Sequence, residues 1–220
     1  MPAHSHPGFL PGLPSSTQPD ILPRLLHEVR QPLCGIESIA YYLEMALDGQ
    51  DDAIRHQCGK IRAMVRQASW LLDDAALGAA PTVPAPQPSA LNSVVFDIAE
   101  RLALHDERSL ILQLPALSPR VLLAESRLRR IIEHVLCFFH EVAEVDETVR
   151  ILTRHSHSGC VLCISGQVQL ERARELASFF DALRPGGLSA ALDALGGCLE
   201  ITTPPGALEI ALLLPAASHD

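Results

Sequence analysis

The sequence predicts an α+β chain: an antiparallel helical hairpin, then an α/β sandwich. Three observations lead there. Two apolar heptad seams follow one another over residues 22–75, a proline-rich spacer lies at 81–88, and beyond it helical and alternating segments interleave. At 220 residues the chain has room for one or two domains. Apolar residues make up 48%, enough for a core, while aromatics are only 4%, a balance that suits bundles and α/β layers. The formal net charge of −9 argues against nucleic acid and anionic membrane surfaces as partners. No apolar run approaches the roughly 20 residues needed to span a bilayer, so a cytoplasmic protein is expected.

Taken in order, Met1–Pro19 holds five prolines and two histidines and no basic stretch. It reads as a disordered tail over residues 1–20, not as a signal peptide. Leu22, Leu26, Val29, Leu33, Ile36, Ala40, Leu43 and Leu47 then recur at alternating steps of three and four. That is a helical seam about 40 Å long at roughly 1.5 Å per residue. Asp20 can cap its start, and Pro23 is tolerated in the first turn. Asp48-Gly49-Gln50-Asp51 reads as a turn, and a second seam runs through Ile54, Cys58, Ile61, Val65, Ala68, Leu72 and Ala75. Residues 21–78 therefore form a helical hairpin. A lone hairpin buries one side of each stripe, and a second hairpin from another chain buries the other. A homodimer built on a four-helix bundle is the expectation.

The spacer, residues 79–90 around Pro81-Thr82-Val83-Pro84-Ala85-Pro86-Gln87-Pro88, should be extended and semi-rigid and marks a domain boundary. The second domain, residues 91–216, starts with an amphipathic helix at Leu91–Leu104. Strands follow at 110–114 and 121–123, then a helix from Ser126 to about Val145. A hairpin of strands at 149–153 and 160–164 precedes helices at 170–183 and 188–195. Strands at 199–203 and 207–214, joined at Pro204-Pro205-Gly206, complete a mixed sheet with helices on one face. The cysteines at 34, 58, 137, 160, 163 and 198 should stay reduced. Cys160 and Cys163 have CxxC spacing, but no second such pair exists and the surroundings read as a buried strand. His155 and His157 fall in a Gly/Ser-rich hairpin and read as solvated loop residues, so no metal site is expected.

The most informative stretch is His27-Glu28-Val29-Arg30-Gln31-Pro32-Leu33. His27 follows one seam residue and precedes the next by two, so it points off the seam into solvent. Pro32 removes a backbone hydrogen bond and can bend the helix. The run resembles the phosphoacceptor box of bacterial two-component sensor histidine kinases, His-Glu-Leu-Arg-x-Pro-Leu. The second domain is similar to the catalytic ATP-binding domain of the same family. Arg127-Leu128-Arg129-Arg130-Ile131-Ile132 looks like the start of its long helix, and Gly187-Leu188-Ser189 and Gly196-Gly197-Cys198-Leu199-Glu200-Ile201 look like two of its glycine-bearing segments. The terminal Pro-Gly turn and the strand ending in Leu-Pro also match. The resemblance covers about residues 21–216.

It also has departures. The family places asparagines on the long helix to hold magnesium and phosphates; His134 and Phe138 stand at those positions. An aromatic ring offers no oxygen to a hard cation. The family's Asp-x-Gly-x-Gly loop, which binds adenine, corresponds to Ser165-Gly166-Gln167-Val168, which has no acid. Arg184-Pro185-Gly186-Gly187-Leu188 keeps part of the lid, and the helix from Ser189 to Gly196 is short.

The resemblance thus implies a dimeric phosphorelay histidine phosphotransferase that uses no ATP and binds no cofactor or metal of its own. His27 would be the nucleophile, taking a phosphoryl group from one response-regulator receiver domain and passing it to another. Glu28 would orient the ring or take its proton, and Arg30, with Arg24, would offset charge on the transferred group. Gln31 stands where related kinases carry a polar residue, mostly Thr or Asn, that positions a hydrolytic water. Cys34, Ser38 and Tyr41 lie at helical spacing below His27 as a docking strip for receivers. Mg²⁺ would come from the receiver's acidic pocket, and a hybrid histidine kinase is a further partner. Two other readings stay open: an active histidine kinase fragment with a divergent ATP site built around His134 or Glu133, and a non-catalytic pseudokinase module that sequesters receivers or kinases. Glu28 and Arg30 also fit an ordinary solvated helix surface.

Overall fold

The computed structural model describes residues 21–46, 52–79, 87–103, 109–143, 148–157, 159–169 and 186–217, with single positions between 170 and 185. The expected tail, the turn at 48–51, most of the proline spacer and most of the helix expected at 170–183 lie outside these residues.

Helices α1 (Ile21–Ala46) and α2 (Asp52–Gly78) pack side by side as an antiparallel hairpin. Arg30 near the start of α1 meets Asp73 near the end of α2, and Glu44 near the end of α1 meets Arg62 at 2.7 Å. The expected seam of α1 divides in two. Leu26 and Ala40 are buried and Leu33 half-buried, facing α2, where Cys58 and Val65 are buried. Val29, Ile36 and Leu43 instead join Leu25 and Ile39 in an exposed apolar stripe along one flank. On α2, Ile54, Met64 and Leu71 are the exposed large apolar residues. A helix continues through Pro32.

The second unit opens with a strand inside the expected linker. β1 (Pro88–Ala90) pairs antiparallel with β3 (Arg120–Leu122). Between them lie α3 (Leu91–Ala103) and β2 (Ser109–Gln113). α4 (Glu125–Cys137) passes directly into a single π-helical turn at Phe138–Val142, so the long helix expected to about Val145 changes pitch at Phe138. β4 (Thr148–Ser156) and β5 (Gly159–Gln167) form a hairpin longer than expected at both ends. α5 (Gly187–Asp193), β6 (Cys198–Thr202) and β7 (Ala207–Leu214) complete the chain. The sheet order is β2-β4-β5-β7-β6, with β2 parallel to β4 and the other pairs antiparallel. Gly206 takes a φ of 73° in the turn between the last two strands, a conformation a side chain resists.

One face of the sheet carries the core. Leu128, Ile131, Ile132 and Val135 recur at helical spacing on α4 and pack with Val94, Val95 and Ile98 of α3. Ile151, Leu162, Ile164, Leu208, Ile210 and Leu212 meet them from alternate strand positions. The opposite face bears exposed Arg150, Arg154, Glu200 and Glu209. This alternation settles the CxxC spacing. Residues three apart on a strand point to opposite faces, so Cys160 and Cys163 cannot share a ligand. Both are free and buried. His155 belongs to β4 itself and is exposed. Among the described residues no helix is long and apolar enough to cross a membrane.

Candidate functional site

His27 is exposed on α1, one step off the face that meets α2. The side chain that reaches its ring is Gln31, one turn on, whose Nε2 lies 3.3 Å from His27 Nε2. Glu28 does not touch the imidazole; its carboxylate accepts from Arg24 at 2.9 Å in an exposed pair. Such a pair contributes little to stability. Arg30 turns the other way, across the hairpin, and pairs with Asp73. Of the three residues expected to act with His27, then, only Gln31 meets it, while Glu28 and Arg30 are held by other partners.

Cys34, Ser38 and Tyr41 are exposed on the same side of α1 as His27. The Ser38 hydroxyl donates back to the Cys34 carbonyl at 2.8 Å, which keeps it close to the helix. From His27 to Tyr41 the strip runs about 21 Å at roughly 1.5 Å per residue. Its far end borders α2, where the Arg62 guanidinium sits 5.3 Å from the centre of the Tyr41 ring. There a groove of about 670 Å³, lined by Glu44, Arg55, Gly59, Lys60, Arg62 and Arg66 among others, opens between the helices. Arg62 and this basic margin are invisible to a reading of α1 alone.

The second constellation lies where α2 meets the sandwich. His134 and Phe138, at the two asparagine positions of the resemblance, are buried. Trp70 of α2 stacks on the His134 ring with centroids 4.4 Å apart, and meets Phe138 edge-on at 5.0 Å. Phe179 stacks on Phe138 at 6.0 Å. The Trp70 indole N–H donates to the His134 carbonyl at 3.1 Å. One turn further along α2, the buried Asp74 carboxylate accepts from the backbone amides of Gly187 at 2.5 Å and Leu188 at 2.8 Å, and lies 3.2 Å from His134 Nε2. Burial alone would raise the Asp74 pKa, but the bonds from His134, Leu188 and Gly187 outweigh it and hold the carboxyl below its ordinary value.

Ser165 does not join this constellation. Instead of a turn, Ser165-Gly166-Gln167 are the last residues of β5, paired with Ala207–Glu209. Ser165 is in register with Arg150 and Glu209 on the open face of the sheet, away from α4. Trp70 and Asp74 were missed because the heptad seam of α2 runs through Leu72 and Ala75. Trp70, Asp74 and Leu77, at steps of four and three, form a separate buried stripe on that helix. The chain's single tryptophan, off the seam, was the available signal.

The overall arrangement is similar to solved structures of two histidine-kinase-like chains, one about twice as long and one of about the same length. ShkA, crystallised at full length in complex with AMPPNP, matches with a TM-score of 0.53 at 22% identity, over 91% of this chain and 46% of that one. This chain thus spans about half of ShkA. The Acinetobacter baumannii histidine kinase AdeS matches with a TM-score of 0.51 at 15% identity, over 87% of this chain and 98% of that one. At these identities the likeness is one of fold: hairpin and sandwich together have a histidine-kinase-like architecture. No family model matches the sequence, and no curated protein matches it.

Proposed function

We propose that this chain is a phosphorelay histidine phosphotransferase. Residues 21–78 form its dimerising acceptor hairpin, and residues 91–216 a kinase-like domain that has lost its nucleotide chemistry. The observation that carries the reading is the setting of His27, open to solvent, with an amide at its Nε2 and a strip of exposed side chains below it.

An imidazole nitrogen of His27 attacks the phosphorus of a receiver's aspartyl phosphate. The bond from phosphorus to the carboxylate oxygen breaks, the carboxylate leaves, and the imidazolium loses the proton on its other nitrogen to water or to Glu28. The receiver supplies Mg²⁺. While the Gln31 amide donates to Nε2, the neutral ring carries its proton on Nδ1, and the bond occupies the Nε2 lone pair until an incoming receiver displaces the amide. Arg30, engaged with Asp73, ties α1 to α2 one turn below the acceptor, and Arg24 is held by Glu28, so either would have to leave its carboxylate to offset charge on the transferred group. Receivers dock over Cys34, Ser38 and Tyr41, with the basic margin of α2 beyond.

A second reading is a histidine kinase with a divergent nucleotide site. It is favoured by the likeness to AdeS, which takes in hairpin and sandwich together. One experiment separates the readings. The protein is incubated with labelled ATP alone, then with a panel of phosphorylated receiver domains. Label from ATP alone supports the kinase. Acid-labile label only from receivers, lost in His27→Ala, supports the phosphotransferase. Tight receiver binding without label supports a sequestering module.

A further inference from the structure

The contact between α2 and the sandwich is built more closely than packing alone requires. Gly187 and Gly78 lie backbone to backbone. A Cβ on Gly187 would sit 1.7 Å from the Asp74 carbonyl oxygen, and one on Gly78 would sit 2.7 Å from the Gly187 Cα. Two glycines therefore let the end of α2 reach the first turn of α5. There the Asp74 carboxylate takes up the amides of Gly187 and Leu188 at the start of this turn. Those amides are then unavailable to any phosphate-bearing ligand. The Trp70 ring covers one face of His134, and Trp70 and Phe179 close over Phe138. Leu77, only 1% exposed, seals the end.

We propose that this contact is an intramolecular clamp. The pocket formed by α4, the π turn and the start of α5 is a socket whose occupant is α2, with Asp74 as the anion and Trp70 as the aromatic plug. The clamp fixes the sandwich against the hairpin and shuts the socket to nucleotide. It also bears on the acceptor turn. Asp73, beside the clamp residue, holds Arg30, which lies three residues after His27. Freeing α2 at Asp74 therefore loosens the strut under His27. The inference stands whether or not His27 carries a phosphoryl group, because its observables are local.

The single tryptophan of the chain is the plug, so its fluorescence reports the clamp directly in the full-length protein. Asp74→Ala should move Trp70 emission to longer wavelength as the ring meets water, with helicity retained. Exchange of the Gly187 and Leu188 amides should accelerate about tenfold or more, because local opening no longer breaks the bonds to Asp74. Gly187→Ala should do the same by steric exclusion. Asp74→Asn, which keeps the shape and one acceptor oxygen, should give a smaller acceleration and serves as the test if the alanine variants fail to fold. Parent-like emission and exchange in the folded variants would overturn the proposal, as would unaltered exchange in Asp74→Asn.

Discussion

His27 and His134 lie in the same chain and have opposite surroundings. His27 is exposed on α1 and touches one side chain, the Gln31 amide. His134 is buried, stacked under Trp70, and bonded to the Asp74 carboxylate, which two backbone amides hold in place. The first has room for a phosphorus atom and a partner protein; the second has room for neither. An imidazole on its own is a nucleophile, a ligand or a hydrogen-bond donor. Solvent access and neighbouring charge decide which of these it becomes. The same contrast separates the two units. The hairpin keeps His27 and an apolar stripe on its surface, while the sandwich keeps His134 buried against α2.

Exchanging the two histidines for alanine gives the sharpest contrast. His27→Ala should abolish labelling from phosphorylated receivers while leaving thermal stability within about 0.5 kcal/mol, as expected for an exposed position. His134→Ala should keep the label but lose about 2–3 kcal/mol in denaturant unfolding, since it leaves a buried carboxylate short of a partner and a cavity under Trp70. Label on His27→Ala equal to the parent's would move the acceptor elsewhere and end the comparison.

The exposed flank of the hairpin offers the next largest effect. Ile36 is 46% exposed in a single chain and sits in the middle of the apolar stripe. In the proposed dimer it should be buried, so Ile36→Asp should dissociate the protein at a cost of several kcal/mol per buried charge. Ile61→Asp on α2 should do the same or unfold the hairpin. Light scattering reads both, and a monomeric parent would refute the four-helix bundle.

A pH titration probes the buried side. The Asp74 carboxyl is held below its ordinary value, so folding stability from the clamp is fully present above the unfolded-chain pKa of about 3.9. It should be lost as pH falls through the lower folded value. Acid unfolding followed by Trp70 fluorescence should therefore steepen below about pH 4 in the parent and flatten in Asp74→Asn.

Thiol chemistry gives the smallest effect. Burial, the Glu209 carboxylate acting the same way and Arg154 opposing, pushes the Cys163 thiol up to about 12. It should resist alkylation at mildly alkaline pH, whereas exposed Cys34 and Cys198 should react. Because Cys34 lies on the proposed docking strip, its modification should slow transfer from receivers several-fold without altering the fold. Transfer at the parent rate after complete Cys34 modification would remove that residue from the interface.

Much of this molecule was legible from local pattern. Both hairpin helices, α3, the start of α4, the final strands and the turn at Gly206 follow from spacing and residue type, because those signals act between neighbours in sequence. The exposure of His27 followed from its offset against Leu26 and Val29. β1 escaped notice because three residues beside a proline run carry no periodicity, and their strand exists only through pairing with Arg120–Leu122. Ser165 reads locally as a turn but lies in β5, because strand length depends on how far the partner strands continue.

By itself, then, the sequence determined most of the elements, their order and the exposure of His27. What only the tertiary structure decided is the buried contact between α2 and the start of α5. Asp74 and Gly187 are 113 residues apart, and the groups that join them are a carboxylate and backbone amides. Every residue but proline carries such an amide, so no side-chain pattern marks which ones will be turned toward a distant acid. That choice is made when α2 and α5 pack, with the two glycines permitting their close approach.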